Sequence, residues 1–132
     1  MKYVVRPRKN PQDLDAAPKY YLQAKLLGTK TLSDICTEIS LSSSLTRGDV
    51  VNTIMSFLDT IPKYLMMGYS VKLDELGTLR LSLNSYPSDT LEEATGAKVK
   101  AIHPVFTASP QLRESILNTP VELFPEVEAK KA

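Results

Sequence analysis

The spacing of apolar residues changes period along the chain, and each change marks an element. Residues 2–6 (KYVVR) are rich in strand formers and run into Pro7, which predicts a short β-strand ending there. Residues 9–18 hold two prolines, an Asn-Pro step and two aspartates, the composition of a loop. Over residues 19–27, Tyr20, Leu22 and Ala24 alternate onto one face, which predicts a second strand closed by Gly28. The period then lengthens. Leu32, Ile35, Cys36 and Ile39 recur at helical spacing behind Thr31, a candidate N-cap with Asp34 three residues on. After a polar linker at 40–44, Thr46 opens a longer helix with Asp49 at its positive end and Val50, Ile54, Phe57, Leu58, Ile61 and Leu65 as its stripe. Pro62 is expected to kink this helix rather than end it, and Gly68 to stop it.

Alternation returns beyond Gly68. Val71 and Leu73 share one face, as do Leu79, Leu81 and Leu83, so residues 69–73 and 78–83 read as a hairpin joined through Asp74-Glu75-Leu76-Gly77. Residues 84–96 are polar, acidic and turn-rich. Residues 98–107 resume a strand pattern in which Pro104 marks an edge or a bulge. Ser109 and Pro110 then open a last helix with Leu112 and Ile116 on its apolar face. The order β-β-α-α-β-β-β-α describes an α+β chain: an N-terminal β extension at 1–30, a main domain at 31–118 and a C-terminal tail at 119–132. Its last residues, 126–132, read as frayed and solvated.

Charge sharpens this outline more than composition does. At 132 residues, 42% hydrophobic and 23% charged, the chain is ordinary for one globular domain. No apolar run approaches the roughly 20 residues needed to span a bilayer, and no signal-peptide core follows the charged start. The single cysteine excludes an internal disulfide and fits a reducing, cytoplasmic setting. The net charge of +1 hides an asymmetry. Residues 1–30 carry seven cations against Asp13 and Asp15, a net of +5, leaving −4 on the remainder. A basic extension on a near-neutral body is the footprint of a polyanion contact, although a Lys-rich solvated strand has the same composition.

The residue types needed for catalysis are missing. The five glycines are scattered, with no phosphate-cradling loop. His103, the only histidine, lies inside a strand, which leaves histidine-based metal sites and triads without parts. Cys36 sits on an apolar stripe, where a small buried hydrophobe is expected. Glu92 and Glu93 fall in a polar loop with no surroundings to raise their pKa values, and Met66-Met67 reads as helix-end packing. No enzymatic activity, metal, cofactor or small-molecule substrate is expected.

One family resembles the ordered combination of these segments. Leu45-Thr46-Arg47-Gly48-Asp49-Val50-Val51, then Leu65-Met66-Met67-Gly68-Tyr69-Ser70-Val71-Lys72-Leu73, then Leu76-Gly77-Thr78-Leu79 resemble the bacterial HU/IHF-type histone-like DNA-binding proteins. The last four match that family's Phe-Gly-Thr-Phe turn with leucine in place of both aromatics. Pro104-Val105-Phe106 and the helix at 110–117 resemble the strand return and final helix of the same fold, and the added N-terminal strands resemble an HU-related branch of Bacteroides-type bacteria. The resemblance implies an HU/IHF-like fold with a two-helix head, a β-hairpin sheet and a C-terminal helix, assembled as a homodimer around Val50, Ile54, Phe57, Leu58 and Ile61. It also implies a nucleoid-associated, cytoplasmic protein that holds double-stranded DNA mainly through phosphates, with little sequence specificity. Candidate contacts are Arg80, Lys98 and Lys100, together with Arg6, Arg8 and Lys9 on the extension.

The chain departs from that family in its arm. HU proteins carry a long basic β-arm whose Arg-Asn-Pro tip wedges between base steps. Residues 84–97 here hold Asp89, Glu92 and Glu93 and no such tip, and from Gly68 to Phe106 the net charge is −1. A negative arm repels phosphate. A structural or protein-interaction module that keeps the dimeric fold without a strong DNA grip is therefore the alternative.

Overall fold

The computed structural model describes residues 1–125, so residues 126–132 and the frayed end expected there lie outside the description. Two units divide the chain: one of Met1–Thr31 with the segment from Asn118, the other Leu32–Leu117.

In the N-terminal unit, strand β1 (Lys2–Arg8) pairs antiparallel with β2 (Lys19–Lys25), from Lys2 opposite Lys25 to Arg8 opposite Lys19. The strand runs through Pro7 instead of stopping before it, and hydrogen-bond direction explains why. Glu122 and Phe124 donate their amides to the Met1 and Tyr3 carbonyls. Odd positions of β1 thus aim their backbone groups away from β2. Pro7 shares that direction and reaches past the end of the neighbouring strand, so its missing N–H removes no ladder bond. That neighbour is β6 (Glu122–Leu123), parallel to β1 at Lys2 and Tyr3. Part of the segment expected as a tail is therefore a strand.

The second unit is the two-helix head, hairpin and final helix. Helix α1 (Leu32–Leu41) runs two residues past Ile39 into the expected linker, and Ser40 there turns its hydroxyl onto the Thr37 carbonyl. Helix α2 (Arg47–Met66) starts from a full capping box: Thr46 accepts from the Asp49 amide, and Asp49 accepts from the Thr46 amide. Arg47 reaches back to the Thr37 and Ser33 hydroxyls and ties the two helices. Pro62 lies inside α2, which continues past it. The helix ends in a Schellman motif. Gly68 (φ 95°) donates to Leu65, Tyr69 donates to Tyr64, and the rings of Tyr64 and Tyr69 meet edge-on at 6.3 Å.

Strands β3 (Val71–Lys72), β4 (Gly77–Ser85) and β5 (Val99–Ala108) form one antiparallel sheet in that order. Gly77 cannot carry a side chain, because a Cβ there would lie 2.4 Å from the Thr107 carbonyl oxygen. Pro104 falls on the edge strand, as its chemistry requires. Helix α3 (Pro110–Leu117) is capped by Ser109, whose hydroxyl accepts from the Leu112 amide and donates to the Glu75 carbonyl. The buried apolar core is small: Val4 in the first unit, and Cys36, Val50 and Leu65 in the second.

Candidate nucleic-acid interface

Pairing register decides which side of a sheet each side chain occupies, because directly opposed residues project to the same face. In the N-terminal sheet this gathers the charged strand residues on one face, around the buried Val4. Tyr3, Val5 and Pro7 share a face with Ala24, Leu22 and Tyr20. The other face carries Lys2, Val4, Arg6 and Arg8 opposite Lys25, Gln23, Tyr21 and Lys19. Arg6 and Arg8, two of the expected contacts, thus stand among further cations. Lys9 lies just past the strand, in a cleft of about 560 Å³ that Arg8, Lys19 and Tyr21 also line.

The place of Lys19, Lys25 and Tyr21 on this face is not among the sequence expectations, although their period-two spacing in KYYLQAK held the signal. Two cation–aromatic contacts organise this face: the Arg8 guanidinium lies 5.7 Å from the Tyr21 ring centre, and the Lys25 ammonium 5.2 Å from that of Phe124. Its carboxylate, Glu122, accepts from the Lys2 ammonium, and that hydrogen bond and charge hold the Glu122 carboxyl below its ordinary pKa.

The hairpin of the second unit holds the other three expected contacts, and it does not gather them. Arg80 is exposed on the face shared with Thr78, Ser82, Asn84 and His103, opposite Val105. Lys98 and Lys100 lie at the far end of the ladder, five pairs or about 17 Å away. A bulge sits there: Asn84 pairs with Ala101 but Ser85 with Val99, which leaves Lys100 as the extra residue. The Lys100 ammonium lies 5.6 Å from the centre of the Tyr86 ring, and the Lys98 carbonyl accepts from the Tyr86 amide.

The acidic segment between the two strands is no extended arm. Ladder pairing stops at Ser85 and Val99, and the chain folds into short turns. Ala94 bonds back to Leu91, Lys98 to Thr95, and the Glu93 amide to the Thr90 hydroxyl. Pro87 lies two residues past the end of β4, at the base of this cap. Leu83, Tyr86, Pro87 and Gly96 help line a cleft of about 440 Å³ in which the buried Ser88 hydroxyl has no partner.

The face expected at a dimer core is only half covered within one chain. Val50 is buried and Ile54 and Ile61 half-buried, but Phe57 and Leu58 are 46% and 42% exposed. Along the hairpin, Leu83, Ile102 and Phe106 are exposed as well. Cys36 is buried, and His103 is exposed on β5. Among the described residues no cluster of histidine, cysteine and carboxylate is placed to hold a metal, and no helix is long and apolar enough to cross a membrane.

Comparison with known proteins gives this geometry a context. A family model described as an HU domain fused to a wHTH, Ig or glycine-rich motif matches residues 1–122. Among solved structures, the Bacteroides vulgatus protein named "putative bacterial DNA binding protein" superposes on 98% of the chain, with a TM-score of 0.67 and 18% identity. The chain spans half the length of that protein. Anabaena HU, solved with DNA, aligns over its full length with 69% of the chain, at a TM-score of 0.53 and 16% identity. No curated protein sequence matches.

Proposed function

Because the chain belongs to the family of HU domains fused to a wHTH, Ig or glycine-rich motif, we propose that it is a non-enzymatic, HU-type protein that binds double-stranded DNA. The observation that carries this reading is the HU fold of the second unit, complete from α1 to α3 and extended by a sheet with a cationic face. Contact runs through phosphates. Arg80, Lys98 and Lys100 on the hairpin and Arg6, Arg8 and Lys9 on the extension supply the charge, and each phosphate neutralised releases condensed counterions. Such contacts carry no base information, so affinity varies little with sequence.

The active species is a homodimer. Phe57 and Leu58, half exposed beside the buried Val50, give α2 an apolar surface that a second copy covers economically. Action on DNA places the protein at the nucleoid, in the cytoplasm.

Binding to two duplexes of unrelated sequence, followed by fluorescence anisotropy at low salt, tests the reading. Comparable affinities for both are expected. No binding to either, with no retention on heparin, would leave the protein-interaction alternative, which the folded acidic cap at 86–98 favours.

A further inference from the structure

The N-terminal sheet offers more than charge. Five cations stand on one face, Lys2, Arg6, Arg8, Lys19 and Lys25, and among the described strand residues the one carboxylate on that face, Glu122, is engaged by Lys2. Among the described strand residues, those on the opposite face, Tyr3, Val5, Pro7, Tyr20, Leu22, Ala24 and Leu123, carry no charged side chain. A polyanion is therefore drawn to one side only.

An exposed aromatic stands among those cations. Tyr21 is 48% exposed, with the Arg8 guanidinium against its ring. In a duplex the base faces are stacked on one another, so a half-exposed ring at the mouth of the cleft finds nothing to stack on. In a single strand every base presents a free π-face, and both aromatic rings and guanidinium planes take it up.

We propose that the cationic face of the N-terminal sheet binds single-stranded DNA, with Tyr21 and the Arg8 guanidinium stacking a base and Lys19 and Lys25 holding flanking phosphates. The Lys25–Phe124 contact fixes the second phosphate anchor at the other end of the face from Arg8. The choice of DNA over RNA rests on the proposed function; the platform itself rests on this unit alone.

The test measures affinity of the full chain for labelled oligothymidylate and, separately, for a blunt duplex. Tyr21→Ala should weaken oligothymidylate binding about tenfold and duplex affinity far less, since a duplex loses only the support that Tyr21 gives Arg8, whereas Tyr21→Phe should keep both. Tyr21 sits half exposed on an edge strand, and circular dichroism is the check that each variant folds. Lys19→Gln with Lys25→Gln gives an independent reading: the slope of log affinity against log salt for oligothymidylate should flatten by about 1.4. No binding of oligothymidylate, an unchanged affinity in Tyr21→Ala, or an equal loss in Tyr21→Phe overturns the platform. Duplex binding without single-strand binding overturns it and spares the proposed function; single-strand binding alone does the reverse.

Discussion

Ser109 links three parts of the second unit through one hydroxyl, and removing that hydroxyl should cost a calculable amount. The Ser109 amide donates to the Leu76 carbonyl at 3.1 Å, its side-chain oxygen accepts from the Leu112 amide at 3.0 Å, and its hydroxyl donates to the Glu75 carbonyl. Ser109→Ala keeps the first bond and loses the other two. Loss of the N-cap costs about 1 kcal/mol. Leaving a part-buried carbonyl without its donor costs about 1 kcal/mol more. The residue is 8% exposed, so water does not readily take either place. The expected loss is about 2 kcal/mol, or roughly 10 °C in melting temperature for a domain of this size. Ser109→Asp separates the terms, because its carboxylate still caps α3 but cannot donate to Glu75, and it should recover about half. Urea unfolding followed by circular dichroism at fixed protein concentration is the assay, with an unchanged m-value as the condition for comparison. A loss below about 0.5 kcal/mol for alanine would show that solvent replaces both bonds. An aspartate variant no better than alanine would show that the cap contributes nothing.

Other perturbations address the assembly and the sheet. Phe57→Asp places a charge on the half-exposed stripe of α2 and should abolish association and folding together by light scattering and circular dichroism; a folded monomer of the unmodified chain at micromolar concentration contradicts the dimer. With the acidic cap folded and no Arg-Asn-Pro tip, bound duplex should be bent less than by HU, as read from the end-to-end distance of a doubly labelled fragment; a sharp kink that survives Pro87→Ala refutes this. The depressed pKa of Glu122 contributes stability that is complete above the ordinary carboxyl value of 4.5 and is lost as the pH falls through the lowered one. Protection of the Phe124 amide, which bonds to Tyr3, should therefore drop on acidification, and Glu122→Gln should remove that pH dependence; an identical profile in the variant would show that the Lys2 contact is inert.

The sequence was most readable where local chemistry and tertiary structure agree. Thr46 with Asp49, the stripe from Val50 to Leu65 and Gly68 together located α2, because caps and period act within a few residues. Leu76-Gly77-Thr78-Leu79 was legible for a related reason, since only glycine tolerates the Thr107 carbonyl at that distance. Strand β6 had no such signature: two residues, Glu122 and Leu123, hold their conformation only through β1, far away in the chain. The turns at 84–96 were legible from composition, but turn-rich sequence says that a segment is irregular without saying how it folds back on itself. The cationic face stayed hidden because period two is visible within a strand, whereas its register against another strand is not. Arg6 and Arg8 were recognisable as charge; their place beside Lys19 and Tyr21 needed the pairing.

The salt dependence of duplex affinity, compared between the unmodified chain and two triple variants, tests the central claim of phosphate-borne DNA binding most directly. Each phosphate contact contributes about 0.9 to the slope of log affinity against log salt. Replacing Arg6, Arg8 and Lys9 with glutamine should flatten that slope by two to three units, about equally for every duplex sequence, and the same change at Arg80, Lys98 and Lys100 should flatten it comparably. A duplex affinity that neither triple variant alters, in strength or in salt dependence, would contradict the account.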